Sequence, residues 1–477
     1  MKYIIEGRKP EQIFRFFEEI SAIPHGSGNE KEIADYLEKF AKERGLFFIH
    51  DEIHNIFIRK PATNGRENEP PLLFQAHTDM VCEKNADTIH DFMTDPLELY
   101  LDGKYLRARG TTLGADDGIG VTIMLALLDG AVESHPEIEC LFTVSEETGM
   151  DGVNGFDFSV VKSRKMINLD SESIDHAVAG CAGGVRNNLI IDIKKEPVTA
   201  GAALKIVLGG LAGGHSGENI ADGRANANKL MGRVLLAISN IDHRLVSLNG
   251  GGKSNAIPRE ATAVIITEKP DEVSCCIKKL AADIAFELSS DDKSFFLTCE
   301  KTEIPNESFD KATTEVAVRL LGVVDNGVFE MSKKTEGFVE FSRNLGVITT
   351  DEDKLTYTFF ARSGIEAQLD SSNKELEALA KLCGATVECS ERYGGWAFAP
   401  SSPIRDDYMA AYKKVTGKDL VVIQIHAGLE CGIIKAKIPD MDIISVGPNA
   451  FGIHSPDEAL DLDSVEVLAS VIEEILS

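Results

Sequence analysis

Hydrophobic and polar positions follow two periods along this chain. In "PEQIFRFFEEISAI" and "NEKEIADYLEKFAKERG" apolar residues recur every three to four positions, which predicts two amphipathic helices, the second stopped by Gly45. "LFFIHDEIHNIFIRK" reads as a hairpin. "LLFQAHTDMV", "IECLFTVSEETG" and "KMINLDSES" are short apolar runs that end in polar residues, as buried strands do. "IGVTIMLALLDGA" is apolar on every side and predicts a buried helix behind the glycine-bearing turn "LGADDG". Strands alternating with helices predict an α/β sheet that is at least partly parallel.

Near Gly183 the pattern changes. "ALKIVLGGLAGGHSG", "ATAVIITEKP", "SFFLTCEKTE" and "KLTYTFFARSG" predict separated strands, with amphipathic helices in "RANANKLMGRVLLAISNI" and "SNKELEALAKLCGA". This is α+β material. Around "GGWAFAPSSP" the first pattern resumes: "IRDDYMAAYKKVTG" and "LDSVEVLASVIEEIL" predict helices, "LVVIQIHAG" a buried strand and "MDIISVGPN" another. The expected organisation is a discontinuous domain, 1–186 with 398–477, interrupted by an inserted domain, 187–397.

Composition narrows the function classes. The 477 residues are 43% hydrophobic and 26% charged, with a formal net charge of −28. A surface this acidic repels nucleic acid and anionic membranes, so neither is an expected partner. The nine cysteines are odd in number and contain no CxxC pair, and Cys275 and Cys276 are adjacent. They read as reduced thiols. No run approaches the roughly 20 apolar residues of a membrane span, and the apolar stretch at the start is too short and too soon charged for a secretion signal. A cytoplasmic location is expected.

Candidate chemistry gathers at the ends of the apolar runs. "LLFQAHTD" ends in His77 and Asp79, "CLFTVSEE" in Glu146 and Glu147, and "MINLDSE" in Asp170; "IISVGPNAFGIH" runs on to His454, and the turn "GADDG" supplies Asp116 and Asp117. Positions i and i+2 of a strand share a face, so His77 and Asp79 lie side by side. Ligands of open α/β sheets bind beyond the carboxyl ends of the strands. Taken singly, each residue has an ordinary explanation: a polar strand end, a solvated acidic pair, a helix cap. Together they are carboxylates crowded at one sheet edge, and like charges about 4 Å apart cost several kcal/mol near a protein surface. A pair of divalent cations removes that cost. Imidazole and carboxylate without thiolate suit catalytic zinc or a similar ion. The "GGGKS" of "LNGGGKSN" is not a phosphate loop, because Ser247 stands where that loop needs its first glycine.

"HTDMV", "LGADDGIG", "SEETGMDG", "NLDSE" and "GPNAFGIHSPDE", in this order, resemble the co-catalytic zinc exopeptidases of the aminoacylase and glutamate-carboxypeptidase group. "GGHSG", "SNAIPREA" and "IHAGLECG" narrow the resemblance to the aminoacyl-histidine dipeptidases. It spans nearly the whole chain. It implies a zinc-binding α/β domain with a mixed, largely parallel sheet flanked by helices, plus an inserted α+β lid. His77 and Asp170 would complete one zinc site, Glu147 and His454 the other, and Asp116 would bridge them, with Asp117 the weaker candidate for that place. Cobalt or manganese are possible substitutes. Asp79 would hydrogen-bond His77, and Glu146 would be the general base. From the lid, His215 would approach the reacting carbonyl, while Asn255, Arg362 and Gly428 would contact substrate; His426 is read as structural. The activity implied is hydrolysis of dipeptides, Xaa-His (carnosine-type) substrates included, by metal-activated water, in a homodimer. A tripeptide aminopeptidase or an N-acyl-amino-acid deacylase is the alternative on the same centre. A non-catalytic peptide-binding protein would be expected to have lost a ligand or the base, and none is missing.

Overall fold

A computed structural model of the chain describes residues 3–477. Two compact units divide it: residues 3–180 with 396–424 and 429–477, and residues 181–395 with the short piece 425–428.

The first unit is built on an eight-stranded mixed sheet, in the order Phe47–His50, Ile56–Lys60, Ile138–Thr143, Leu72–His77, Lys165–Asn168, Asp442–Ser445, His176–Cys181, Val421–Ile425. The strand pairs from Ile138–Thr143 through Asp442–Ser445 are parallel, and the hairpin Phe47–His50 with Ile56–Lys60 is antiparallel. Every residue of Leu72–His77 and of Ile138–Thr143 is buried, as expected where helices cover both faces of a parallel sheet. The register pairs His77 with Thr143 and Gln75 with Asn168, so these strands finish together at one edge.

Helix Ala115–Leu128 is buried along almost its whole length, which explains its lack of a polar stripe. Helix Glu11–Ile20 buries Ile13, Phe14, Phe16, Phe17 and Ile20, while Glu19 stays partly exposed. Helix Lys31–Glu43 ends as expected, with Gly45 in the left-handed conformation (φ 64°) that a glycine adopts without steric cost. One expectation fails. Val421–Ile425 is not a buried strand but the last in the sheet order, and Val421 is 50% exposed. A short apolar run looks the same at a sheet edge as at its centre.

The second unit holds a nine-stranded sheet whose pairings are antiparallel. Helices Ala227–Ala237, Pro270–Glu287, Lys311–Val323 and Glu366–Cys383 accompany it. Its own core includes Leu204, Ile206, Val234, Leu235, Ile265, Leu321 and Phe359. Two halves of this sheet meet where Gly250 pairs with Ile348. Among the described residues no helix is long and apolar enough to cross a membrane.

Candidate metal centre

The parallel register decides where the acidic residues go. Because His77 is paired with Thr143, the chain leaving the second strand reaches Glu146 and Glu147 only three and four residues later. Because Gln75 is paired with Asn168, Asp170 emerges two residues beyond its neighbour's pairing position. Asp116 and Asp117 depart from helical geometry at the start of Ala115–Leu128, and the peptide between them is cis. Asp117 is buried, and its Oδ1 accepts from Gly120 N at 3.2 Å. A side chain on Gly120 would collide with that oxygen and with Leu169.

Asp116 faces two histidines with its two oxygens. Oδ1 lies 3.1 Å from His77 Nε2, and Oδ2 lies 3.2 Å from His454 Nε2. Each histidine meets a second carboxylate: Asp170 Oδ1 is 3.7 Å from His77 Nε2, and Glu147 Oε1 is 2.9 Å from His454 Nε2. Three overlapping donor groups result: His77, Asp116 and Asp170; Asp116, Glu147 and His454; and His77, Glu146 and Glu147. Within each, the donor atoms lie within 4.8 Å of one another. Donors around a tetrahedral zinc with bonds of about 2.0–2.1 Å stand roughly 3.3 Å apart, so the observed spacing fits such an ion.

Electrostatics agree with that fit. Burial pushes the carboxyl groups of Asp117 and Glu146 well above their ordinary range, and Asp170 rises too. Neighbouring carboxylates add to all three shifts, and His77 opposes them. Burial alone would raise Asp116, but hydrogen bonds from His454 and His77 bring it down. His454 rises to about 10 through its bonds to Asp116 and Glu147. Nearby divalent charge favours the ionised form of every carboxylate in the group.

The ligand candidates rest on a layer of further contacts. His77 Nδ1 donates to the main-chain oxygen of Asp79 at 2.9 Å, closer than the Asp79 carboxylate at 3.5 Å. That carboxylate accepts instead from Ser27 Oγ at 2.8 Å and from the amides of Glu146 and Glu147 at 3.0 and 3.3 Å. Asp79 therefore fixes the backbone that carries both glutamates as well as neighbouring His77. Beneath, the fully buried Glu430 accepts from Gln75 Nε2 at 2.5 Å and Thr143 Oγ1 at 2.7 Å, and Gln75 Oε1 accepts from Asn168 Nδ2 at 2.7 Å. Burial pushes the Glu430 carboxyl up to about 8.

A second cluster lies within the other unit. Arg362 is buried, with its guanidinium over the Phe360 ring. It donates to Tyr393 Oη and to His215 Nε2, each at 3.1 Å, and lies 3.4 Å from Ser216 Oγ. Gly428 lies so close to the Tyr393 ring that a Cβ there would stand 2.8 Å from it. Asn255 is exposed, and its main-chain oxygen accepts from Ser216 N at 2.8 Å. His426 bonds Ser342 Oγ at 2.7 Å through Nε2.

The peptidase family M20/M25/M40 matches residues 73–477. This chain belongs to that family. It is similar to the cytosol non-specific dipeptidase of Escherichia coli, with 38% identity over 471 residues, covering 98% of this chain and 97% of that one. It is similar also to the crystal structure of aminoacylhistidine dipeptidase from Vibrio alginolyticus, at a TM-score of 0.90 and 38% identity, covering 98% and 96% of the two chains. An aminopeptidase from Bacillus cereus shares the fold, with a TM-score of 0.55, 16% identity and coverage of 98% and 99%. As a member of a peptidase family, the chain is a peptide-bond hydrolase.

Several residues around the M20 site have no distinct signal in the sequence. Glu430, Gln75, Asn168, Tyr393 and Ser27 each look like ordinary polar positions. Glu458, four residues past His454, is another: it is 2% exposed and accepts from the amides of Leu113, Gly114 and Ala115. The i, i+2 rule offered one usable clue, since Gln75 and Asn168 stand two residues before His77 and Asp170 on the same strand faces.

Proposed function

We propose that this chain is a metallo-dipeptidase, cleaving dipeptides that include Xaa-His sequences. One observation carries the reading: Asp116 faces His77 and His454 with separate oxygens, and each histidine has a second carboxylate beside it. That is a donor set for two cations sharing a carboxylate. We assign His77, Asp170 and Asp116 to one ion and Glu147, His454 and Asp116 to the other, with zinc as the metal. When bound, such ions polarise a carbonyl and acidify water.

The chain's own groups handle the rest. Glu146, next to a ligand and outside the two ligand sets assigned here, takes a proton from the attacking water and returns it to the leaving amine. The Asp79 carboxylate holds the Glu146 amide, so the base is fixed through its backbone. Arg362, buried without a carboxylate partner among the described ion pairs, receives the C-terminal carboxylate, and Asn255 and Gly428 line the substrate path. His215 donates to the developing oxyanion. An anchor for the terminal carboxylate sets a length limit, because a longer peptide places that group elsewhere.

The inserted domain serves as a lid and as the dimer contact. Supporting the second role, Phe296–Thr302 ends the sheet order of the second unit, with Phe296 46% exposed, and Phe286 nearby in sequence is 92% exposed. Sedimentation at micromolar concentration should return a homodimer; a monomer alone counts against it. The deciding test of substrate class is one rate assay on dipeptides, tripeptides and N-acetyl amino acids with metal-stripped protein and each divalent ion restored in turn. Dipeptides should be turned over fastest. Faster cleavage of tripeptides or N-acetyl amino acids would replace this substrate assignment with the corresponding one.

A further inference from the structure

Glu458 is a buried carboxylate held by main-chain amides. Its Oε2 accepts from Leu113 N at 2.7 Å and Gly114 N at 3.1 Å, and its Oε1 from Ala115 N at 2.8 Å. Three successive amides thus converge on one buried carboxylate. The turn they belong to passes through Gly114 in the left-handed conformation (φ 68°) and delivers the chain to Asp116, whose own backbone is extended (φ −84°, ψ 108°). No basic side chain forms an ion pair with Glu458 among the described residues.

The other end of this residue is tied to His454. Glu458 N donates to Ser455 O at 3.1 Å, and Ser455 Oγ donates to Gly452 O at 2.7 Å, closing the loop that carries the histidine. The next residues, Ala459–Asp461, pair with Tyr105–Ala108. Segments more than 340 residues apart are joined by one side chain, and each ends on a residue assigned to the metals.

We propose that Glu458 is a positioning residue for the metal centre: by clamping the 113–115 turn to the His454 loop, it sets the distance between Asp116 and His454. Burying a carboxylate without a cationic side chain is costly unless its oxygens are fully bonded. Three amides meet that need, and they would serve an uncharged cap less well, since charge-assisted bonds are about twice as strong as neutral ones. The proposal rests on the metal-centre reading. Partners that orient ligands typically hold about 10- to 100-fold of metal affinity.

Glu458→Gln tests it with three measurements. Deuterium exchange of peptides covering 113–115, on chelator-treated protein, should quicken in the variant while exchange in the Ile138–Thr143 strand stays as in wild type. Zinc affinity by chelator competition should fall about 10- to 100-fold. The visible spectrum of the cobalt-substituted protein should change in intensity or position. Glu458→Asp, which keeps the charge but retracts it, should change zinc affinity in the same direction and supplies the comparison if the Gln variant does not fold. A folded variant with wild-type zinc affinity and cobalt spectrum overturns the proposal, whatever its melting temperature. Wild-type protein that binds no zinc overturns the metal-centre reading itself.

Discussion

Arg362 donates from Nη2 to Nε2 of His215 across 3.1 Å. A guanidinium has donors only, so the imidazole must accept with that nitrogen and is neutral there. Burial lowers the His215 pKa, and the Arg362 charge lowers it further. In this state Nε2 is not free to donate to an oxyanion. A substrate carboxylate on Arg362 would compete for the guanidinium and partly cancel its charge, so the His215 pKa should rise on binding. Titration of the His215 ring resonance by NMR, with and without a non-cleaved dipeptide analogue, measures this. An unchanged or lower pKa would break the proposed link between the two residues.

The same pair predicts a split in kinetics. Arg362→Ala removes a contact present in the ground state, so KM should rise about 10- to 100-fold, from roughly 1.5–3 kcal/mol for a bond to a charged group. His215→Ala should act mainly on kcat, by about 10²-fold as for loss of one oxyanion donor, with metal content unchanged. Zinc loss from the His215 variant, by elemental analysis, would contradict its assignment.

Glu146→Gln separates the base from the ligands. A positioned base contributes about 10²–10⁴-fold, so turnover should fall by that factor while both metals stay bound. His454→Ala should instead lower metal content, because Nε2 faces both Asp116 and Glu147. Near wild-type turnover in Glu146→Gln would remove it from the role of base.

The ends of the apolar strands were legible because two signals coincide there, a buried run and an abrupt His or carboxylate. The same sequence gives no sign that Glu458 caps a turn near residue 114, since the acidic pair Asp457 and Glu458 behind Pro456 reads as solvated charge. Glu430 is hidden in the same way: its partners Gln75 and Thr143 are over 280 residues away. The two contacts of Asp79 show a different limit. Its carbonyl bonds His77 and its carboxylate bonds two backbone amides, and backbone atoms leave no residue-type signature. In the second unit, helix Pro270–Glu287 buries only Val273, Ile277 and Ile284, a stripe too narrow for apolar spacing to mark it. Val421–Ile425 misled in the opposite direction, apolar in sequence but at the end of its sheet.

Chelation should abolish activity, and zinc, cobalt or manganese should restore it. Metal should also stabilise the fold, because the proposed ligands come from segments as far apart as His77 and His454. A ligand at 100 times its Kd adds about 2.7 kcal/mol to a folded state that alone binds it. The melting temperature of chelated protein should therefore rise on adding zinc, in step with activity. Full activity in protein shown to be metal-free by elemental analysis would exclude the metal-dependent mechanism.

His426 predicts a particular acid sensitivity. It is 9% exposed, with Nε2 held 2.7 Å from Ser342 Oγ. Burial first, then the charges of Arg362 and His215, depress its pKa to about 3. An unfolded chain has its histidines near 6.5. Between these values the unfolded state binds a proton that the folded state refuses. The stabilising preference for neutral His426 is complete above about pH 6.5 and is lost as pH falls toward 3, at a limit of about 1.4 kcal/mol per pH unit. His215 and His243 are depressed by burial too and act in the same direction. Over pH 7 to pH 5 Glu430, raised by burial to about 8, adds stability and opposes the histidines, so the test by urea unfolding is the difference between the wild type and a His426 variant. His426→Asn, which cannot take up the proton, should lose less stability than the wild type across this interval, or gain more, even if it starts from a lower value. Equal changes in the two proteins would show that His426 is not the group responsible.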